Sequence, residues 1–252
     1  MTETLSLRAK IEQSPMGAYQ WMIVVMAAIM NLLDGFDVLA LAFTATAIRG
    51  EFGLTGIELG YLLSAGLFGM TAGSLFLAPL ADKIGRRPLL LMAVSLSAIG
   101  MLGSAFISQY QWLGFWRVIT GLGVGGILVG TNVITSEYSS RKWRSFAISV
   151  YAAGFGVGAV LGGMFAVMLQ GEYGWRSVFL AGAILTGLLL VALFIWLPES
   201  IDFLTSKQPK NAEVRLNLIA KKIGLAGDWK LPAKTEKVKS KLPISQLVSE
   251  KY

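Results

Sequence analysis

The sequence predicts an all-α membrane protein, folded as a six-transmembrane-helix bundle. Three observations carry that expectation. Of 252 residues, 54% are hydrophobic and only 15% are charged, whereas a soluble domain of this size carries about 25% charge. Six apolar runs reach the ~20 residues that a spanning helix needs. The runs are continuous rather than alternating, which argues against a β-barrel.

Residues 1–18 form a polar N-terminal segment with Glu3, Arg8, Lys10 and Glu12. They lack the basic-then-apolar order of a cleaved signal peptide, so insertion is expected to start from the first span. The spans are expected near 21–48, 59–80, 88–108, 112–134, 145–169 and 178–197, inside a membrane domain of residues 19–198. The first is long, which predicts a tilt or a bend at Gly35. The links 49–58, 81–87, 109–111, 136–144 and 170–177 are short, as between packed antiparallel neighbours. Residues 199–252 lose apolar density and gain lysine. Within them, 211–225 predicts a short amphipathic helix, with Val214, Leu218, Ile219 and Ile223 on one side and Arg215, Lys221 and Lys222 elsewhere. This segment is either a solvated loop with a surface helix or one that touches lipid headgroups. Nucleic-acid binding has no support beyond charge.

Basic residues are distributed unequally. Nineteen of the 22 Lys and Arg residues fall on one side, including the region after Pro198. Arg49 and Arg176 fall on the other side, and Arg117 lies near the start of the fourth span. The positive-inside tendency makes the first side cytoplasmic, with both termini, in a cell (inner) membrane.

The chain has no cysteine and no histidine. Disulfides, thiol chemistry and imidazole bases are excluded, so any proton chemistry falls to carboxylates. No phosphate-binding loop with Lys and Ser/Thr is present. The run from Gly121 to Gly126 formally fits G-x-G-x-x-G, but it follows no strand and sits inside an apolar span. An enzyme, a cofactor and a metal are therefore not expected.

Asp34-Gly35-Phe36-Asp37 is the anomaly. A charge at mid-bilayer costs about 2.5–3.5 kcal/mol even on the lenient scale, and the first span keeps two carboxylates. Their i, i+3 spacing places them on one helix face, suited to taking up a proton on one side and releasing it on the other. The plainer alternative is that one of them caps a helix broken at Gly35 or pairs with Arg117. A membrane carboxylate protease would need its acids on facing helices. Arg117 is either a counter-ion, for a carboxylate substrate or for Asp34 or Asp37, or an interfacial arginine snorkelling beside Trp112 and Trp116. Phe36, Trp21 and Tyr151 either line a cavity or simply pack.

The link from Ala78 to Pro88 carries Asp82, Lys83, Gly85, Arg86 and Arg87. Asp82 and the three cations can lock two helix ends through charge-assisted hydrogen bonds. Gly85 permits the turn, and Pro88 can open the next helix. Alternatively the loop is only a positive-inside anchor.

The order of these residues resembles the loop signature G-x-L-A-D-[RK]-x-G-[RK]-[RK] of the major facilitator superfamily, with Ala78 in place of the leading glycine. Arg117 ahead of Gly121, Gly123, Gly125 and Gly126 resembles that family's fourth span. Gly174-Trp175-Arg176-Ser177-Val178-Phe179 resembles the start of its sixth span, and Leu197-Pro198-Glu199-Ser200 the end. Glu137-Tyr138 with Arg141 and Arg144 resembles the loop between spans four and five. Gly154, Gly158 and Gly162 recur every fourth residue, as a ladder for close helix packing. The ladder also resembles an antiporter motif, but Ala159 stands where that motif has proline. Within the superfamily, D-G-x-D in the first span and the stretch Pro198 to Leu204 resemble the aromatic acid:H+ symporters.

The resemblance implies the N-terminal half of a twelve-span fold, with inverted 3+3 helix repeats and a missing or separate C-terminal six-helix half. It implies symport of a small organic acid, aromatic by that likeness, with protons across the lipid bilayer. Asp34, Asp37 and Arg117 would couple proton and substrate, and Asp82, Lys83, Gly85, Arg86 and Arg87 would form a conformational gating loop. The alternatives are a sugar or drug carrier of the same superfamily and a non-transporting membrane scaffold or fragment.

Overall fold

A computed structural model describes residues 6–225 and 227–231. Residues 1–5 and the lysines at 234, 237, 239, 241 and 251 lie outside the described residues, as does the rest of the predicted loop beyond 231. Among the described residues there are nine helices and no strand: α1 Leu7–Gln13, α2 Ala18–Phe52, α3 Gly56–Ile84, α4 Arg86–Ala105, α5 Tyr110–Tyr138, α6 Arg144–Tyr173, α7 Trp175–Trp196, α8 Ile201–Lys207 and α9 Ala212–Ile223. The six from α2 to α7 are long and apolar enough to cross a membrane. The chain is a multi-pass membrane protein with the six spans that hydropathy predicts, each helix shifted or extended at its ends.

Local chemistry sets those ends. Gly53, with φ +63°, terminates α2. Thr55 and Glu58 then form a capping box for α3, with Glu58 accepting from the Thr55 amide at 2.9 Å. Gly85, with φ +104°, both ends α3 and precedes α4, a backbone conformation that an L side chain resists. Pro88 lies in the first turn of α4, where its missing N–H costs nothing.

At Gly35, where a tilt or a bend is expected, the helix does not break. Helix α2 is one α-helix of 35 residues, about 52 Å long against a hydrocarbon core of ~30 Å. Gly35 serves packing instead: a Cβ there would overlap the Phe155 carbonyl of α6. Along the same seam, a Cβ at Gly154 would meet the Ala28 carbonyl, at Gly158 the Leu32 carbonyl and at Gly162 the Phe36 ring. The glycine ladder thus packs α6 on α2. A matching seam joins α3 and α5, where Gly69 and Gly73 meet the Val118 and Leu122 carbonyls and Gly121 and Gly125 meet α3 in return. In lipid, where apolar surface gives no net drive, such close backbone approach supplies the packing energy.

The main pairings are α2 with α6, α3 with α5, α4 with α5 and α4 with α7, while α2 with α3 and α3 with α4 touch little. The expectation that chain neighbours pack together therefore holds for α4 with α5 and is corrected for α2 with α3 and α3 with α4. Each three-helix repeat lends its middle helix to the other repeat: span 2 packs on span 4, and span 5 on span 1. This exchange is the inverted 3+3 arrangement.

Two apolar clusters fill the bundle. One holds Met30 and Leu33 of α2, Val94 of α4, Ile127 of α5 and Leu189 of α7. The other holds Phe36, Met101, Leu113 and Ala183 of the same four helices. A polar layer lies at the seam between them. Beneath the first cluster, at the end rich in Lys and Arg, α1, α8 and α9 form a helical plate. Helix α1 was not anticipated in the polar N-terminal segment; Leu7 and Ile11 bury there, Arg8 pairs with Asp202, and Arg144 reaches Glu12 at 2.7 Å. That hydrogen bond from Arg144 holds the Glu12 carboxyl below its ordinary range. Helix α9 forms as expected but rotated. It buries Ala212, Leu216, Ile219 and Ala220, while Val214 and Leu218 face outward.

Candidate functional site

The polar layer at mid-bundle is built from α2, α4 and α5. Asp34 and Asp37 are each 2% exposed, and Arg117 is 3% exposed. Interfacial snorkelling of Arg117 is ruled out by that burial and by its partners. Its Nη1 donates to the Asp37 backbone carbonyl at 3.0 Å and its Nη2 to the Met101 sulfur at 3.1 Å. The guanidinium carbon lies 5.2 Å from the Phe179 ring centroid, so the cation rests on an aromatic face. The Ser97 hydroxyl of α4 donates to Asp37 Oδ2.

The layer is incompletely satisfied. Asp34 Oδ2, Asp37 Oδ1 and Arg117 Nε are buried without a hydrogen-bond partner. Buried polar groups are nearly always paired, so three orphans in one layer make it the candidate site. The proposed cap of a broken helix is excluded, because α2 is unbroken at Gly35.

A cleft between α2, α3 and α5 reaches this layer. Its polar side chains are Asp37, Arg117 and Thr120. The remainder is apolar, including Leu41, Leu63, Met70 and Val124. Asp37 and Arg117 line it, and Asp34, one turn away, does not. The sequence spacing grouped the two acids on one face; the tertiary structure gives them different surroundings. Chemically, the cleft offers a carboxylate, a cation and a hydroxyl at one point on a greasy wall, which suits a small amphiphilic anion.

The three aromatic candidates pack rather than line this cleft. Trp21 joins Trp143 and Phe146 in an edge-to-face cluster, with centroids 5.8 and 6.1 Å away. Phe36 fills the gap over Gly162 and Gly182. The Tyr151 carbonyl accepts from Asn31 at 2.8 Å. Ser97 and Thr120 were missed. A signal existed, since each is a hydroxyl set midway between the two apolar clusters of its own span, but lone hydroxyls are common in spans.

At the basic end, Asp82 pairs with Arg86 across one turn at 2.8 Å, and Lys83 is exposed. Further links reach the neighbouring helices. Arg87 donates to the Phe194 carbonyl at 2.6 Å. Glu199 accepts from the Arg86 and Arg87 amides at 2.8 and 3.0 Å, which places a carboxylate on the N-terminus of α4. Glu137 does the same for α8, accepting from the Ser200 hydroxyl and the Ile201 amide, both at 2.8 Å. The Tyr138 hydroxyl donates to the Glu199 carbonyl at 2.7 Å. The expected lock is present, since Asp82 joins the end of α3 to Arg86 at the start of α4 and Arg87 reaches α7; Glu137 and Glu199, which the sequence offered only as parts of motifs, extend it.

Known proteins match this arrangement. The chain is 34% identical over 242 residues to a gallate transporter of Pseudomonas putida, covering 96% of this chain and 54% of that protein. It is 35% identical over 213 residues to the 4-hydroxybenzoate transporter PcaK of Pseudomonas aeruginosa, covering 84% of this chain and 48% of the relative. The chain therefore spans about half the length of the curated relatives it matches. The proton:xylose symporter XylE superposes with a TM-score of 0.73 at 22% identity, over 84% of this chain and 50% of XylE, a likeness of fold alone. The model of the Major Facilitator Superfamily matches residues 27–250. With that match, the relatives above 30% identity and the swapped 3+3 bundle in agreement, the chain belongs to the major facilitator superfamily.

Proposed function

We propose that this chain supplies one wall of a proton-coupled importer of a small aromatic acid, and that Asp34, Asp37 and Arg117 carry the coupling. The observation that supports this reading most directly is the mid-membrane layer of orphaned charges beside an apolar cleft. Arg117 would meet the substrate carboxylate with its free Nε, as guanidinium suits carboxylate recognition. Asp37, held by Ser97 and lining the cleft, would exchange the proton; Asp34, behind it, would hold or relay it. A proton carried with a monoanion crosses as a neutral pair, and apolar walls contact the ring. The named relatives carry gallate and 4-hydroxybenzoate, which favours an aromatic cargo.

In this reading the other wall is a second six-helix bundle, and alternating access comes from rocking of the two halves. Asp82, Lys83, Gly85, Arg86 and Arg87, together with Glu137 and Glu199, would act as the gating loop that forms and breaks at the basic end. That end faces the cytoplasm of a bacterial inner membrane, in keeping with its excess of Lys and Arg. A sugar or drug cargo is the second reading, motivated by the glycine ladder of Gly154, Gly158 and Gly162; the apolar lining argues against a sugar.

Reconstituted with its second bundle in proteoliposomes, the protein should take up 4-hydroxybenzoate faster under an inward proton gradient. Benzoate-type acids should compete and xylose should not. Uptake indifferent to the gradient would sink the coupling, and competition by xylose alone would replace the cargo.

A further inference from the structure

A second concavity lies at the basic end, away from the acid–arginine layer. Arg215, Leu218 and Lys222 of α9 form one wall, Tyr19 of α2 and Arg87 of α4 the other, and Trp196 at the end of α7 lies between them. Three cations converge there. Glu199, the acid among the lining residues, is turned to the Arg86 and Arg87 amides. Two of the three cations lie against aromatic rings. The Lys222 ammonium is 5.3 Å from the Tyr19 ring centroid, and the Arg87 guanidinium is 5.7 Å from that of Phe194. Arg87 Nε is also buried without a partner.

Depth in the membrane tells what fits. Tyr19 and Trp196 lie at the ends of the spanning helices α2 and α7, and amphipathic rings at span ends settle at the headgroup level. Just inside that level, Phe194 and Ile195 are 66% and 59% exposed. Cations at headgroup depth thus continue into an apolar surface at acyl depth, and outward-facing Leu218 extends that surface onto α9. A soluble anion would use only the first of these features, whereas a phospholipid uses both.

We propose that this groove binds the headgroup of an anionic phospholipid, with its phosphate between Arg87, Arg215 and Lys222 and its chains along the outer face of α7. The lipid joins α9 to the ends of α2, α4 and α7, so occupancy clamps the helical plate to the membrane bundle. The assignment does not depend on what the protein transports.

The test is the Tm of the purified 252-residue chain, followed by tryptophan fluorescence, in phosphatidylcholine vesicles with and without phosphatidylglycerol. A saturating site raises Tm by about 5 °C. The gain should disappear in Arg215→Gln/Lys222→Gln and persist in Lys221→Gln, whose side chain lines a different concavity on α9. Lys222→Arg, which preserves charge, should retain it and guards against a folding defect in the double variant. Inorganic phosphate added to phosphatidylcholine should give no gain. Equal Tm in the two lipids, an undiminished gain in the double variant, equal losses in Lys221→Gln, or a gain reproduced by phosphate would each overturn the assignment.

Discussion

Among the described residues four carboxylates are buried, and they divide into two pairs that differ in what surrounds them. Glu137 and Glu199, at the basic end, each accept several hydrogen bonds at a helix N-terminus, and neither leaves a buried oxygen without a partner. Asp34 and Asp37, at mid-bundle, each keep one such oxygen unpaired. The first pair is saturated by the fold, so its charge holds helices together. The second pair is left short by the fold, which is what the proposed coupling role would need. Equal burial therefore conceals different hydrogen-bond saturation.

That contrast can be broken by substitution. Asp37→Asn should abolish gradient-driven uptake, by about 100-fold or more if the acid moves the proton, while Tm in detergent stays within a degree or two. A large fall in Tm instead would make Asp37 structural. Glu199→Ala should behave the other way. Removing a buried charged acceptor from three amides costs about 2–3 kcal/mol, which lowers Tm by roughly 4–10 °C. An unchanged Tm would show that the α4 N-terminus needs no carboxylate.

Arg117→Lys sharpens the layer itself. Lysine keeps the charge but loses the planar fork that reaches both the Asp37 carbonyl and Met101. Substrate affinity should fall about tenfold, read as KM in uptake, with Tm little altered. Glu12 supplies the smallest effect and the exposed reference. Its carboxyl is lowered below the ordinary 4.5 chiefly by the Arg144 hydrogen bond. The bond therefore stabilises at pH above that ordinary value and is lost as pH falls through the lower, folded-state value. Because the pair is partly solvated, Glu12→Gln should cost only a few tenths of a kcal/mol at pH 7. The Tm difference between variant and parent should close on acidification below about 4.5; a constant difference would mean that packing of α1, not charge, is what the variant disturbs.

Much of this was legible in the chain. Hydropathy fixes the number of spans because water and lipid sort residues locally, twenty at a time. Asp34, Asp37 and Arg117 stand out because a charge in hydrocarbon is costly and hence conspicuous in any apolar run. The same local logic missed or misplaced other features. Gly35 between two acids suggested a tilt or a bend of the helix and gave no hint that its absent side chain makes room for α6. Leu218 looked like part of a buried stripe, yet α9 turns it outward to satisfy Leu216 and Ile219.

By itself, then, the sequence determined the class, the six spans, the basic end and the anomalous charges, all of which follow from residue type and linear spacing. Only the tertiary structure decided that span 5 packs on span 1 and span 2 on span 4, that Ser97 holds Asp37, and that Glu199 closes the loop at Gly85. The reason is physical. In lipid every apolar face is equally at home, so the partner of each helix is chosen by the fit of glycine notches to backbone ridges, and that fit exists only between surfaces brought together from distant parts of the chain.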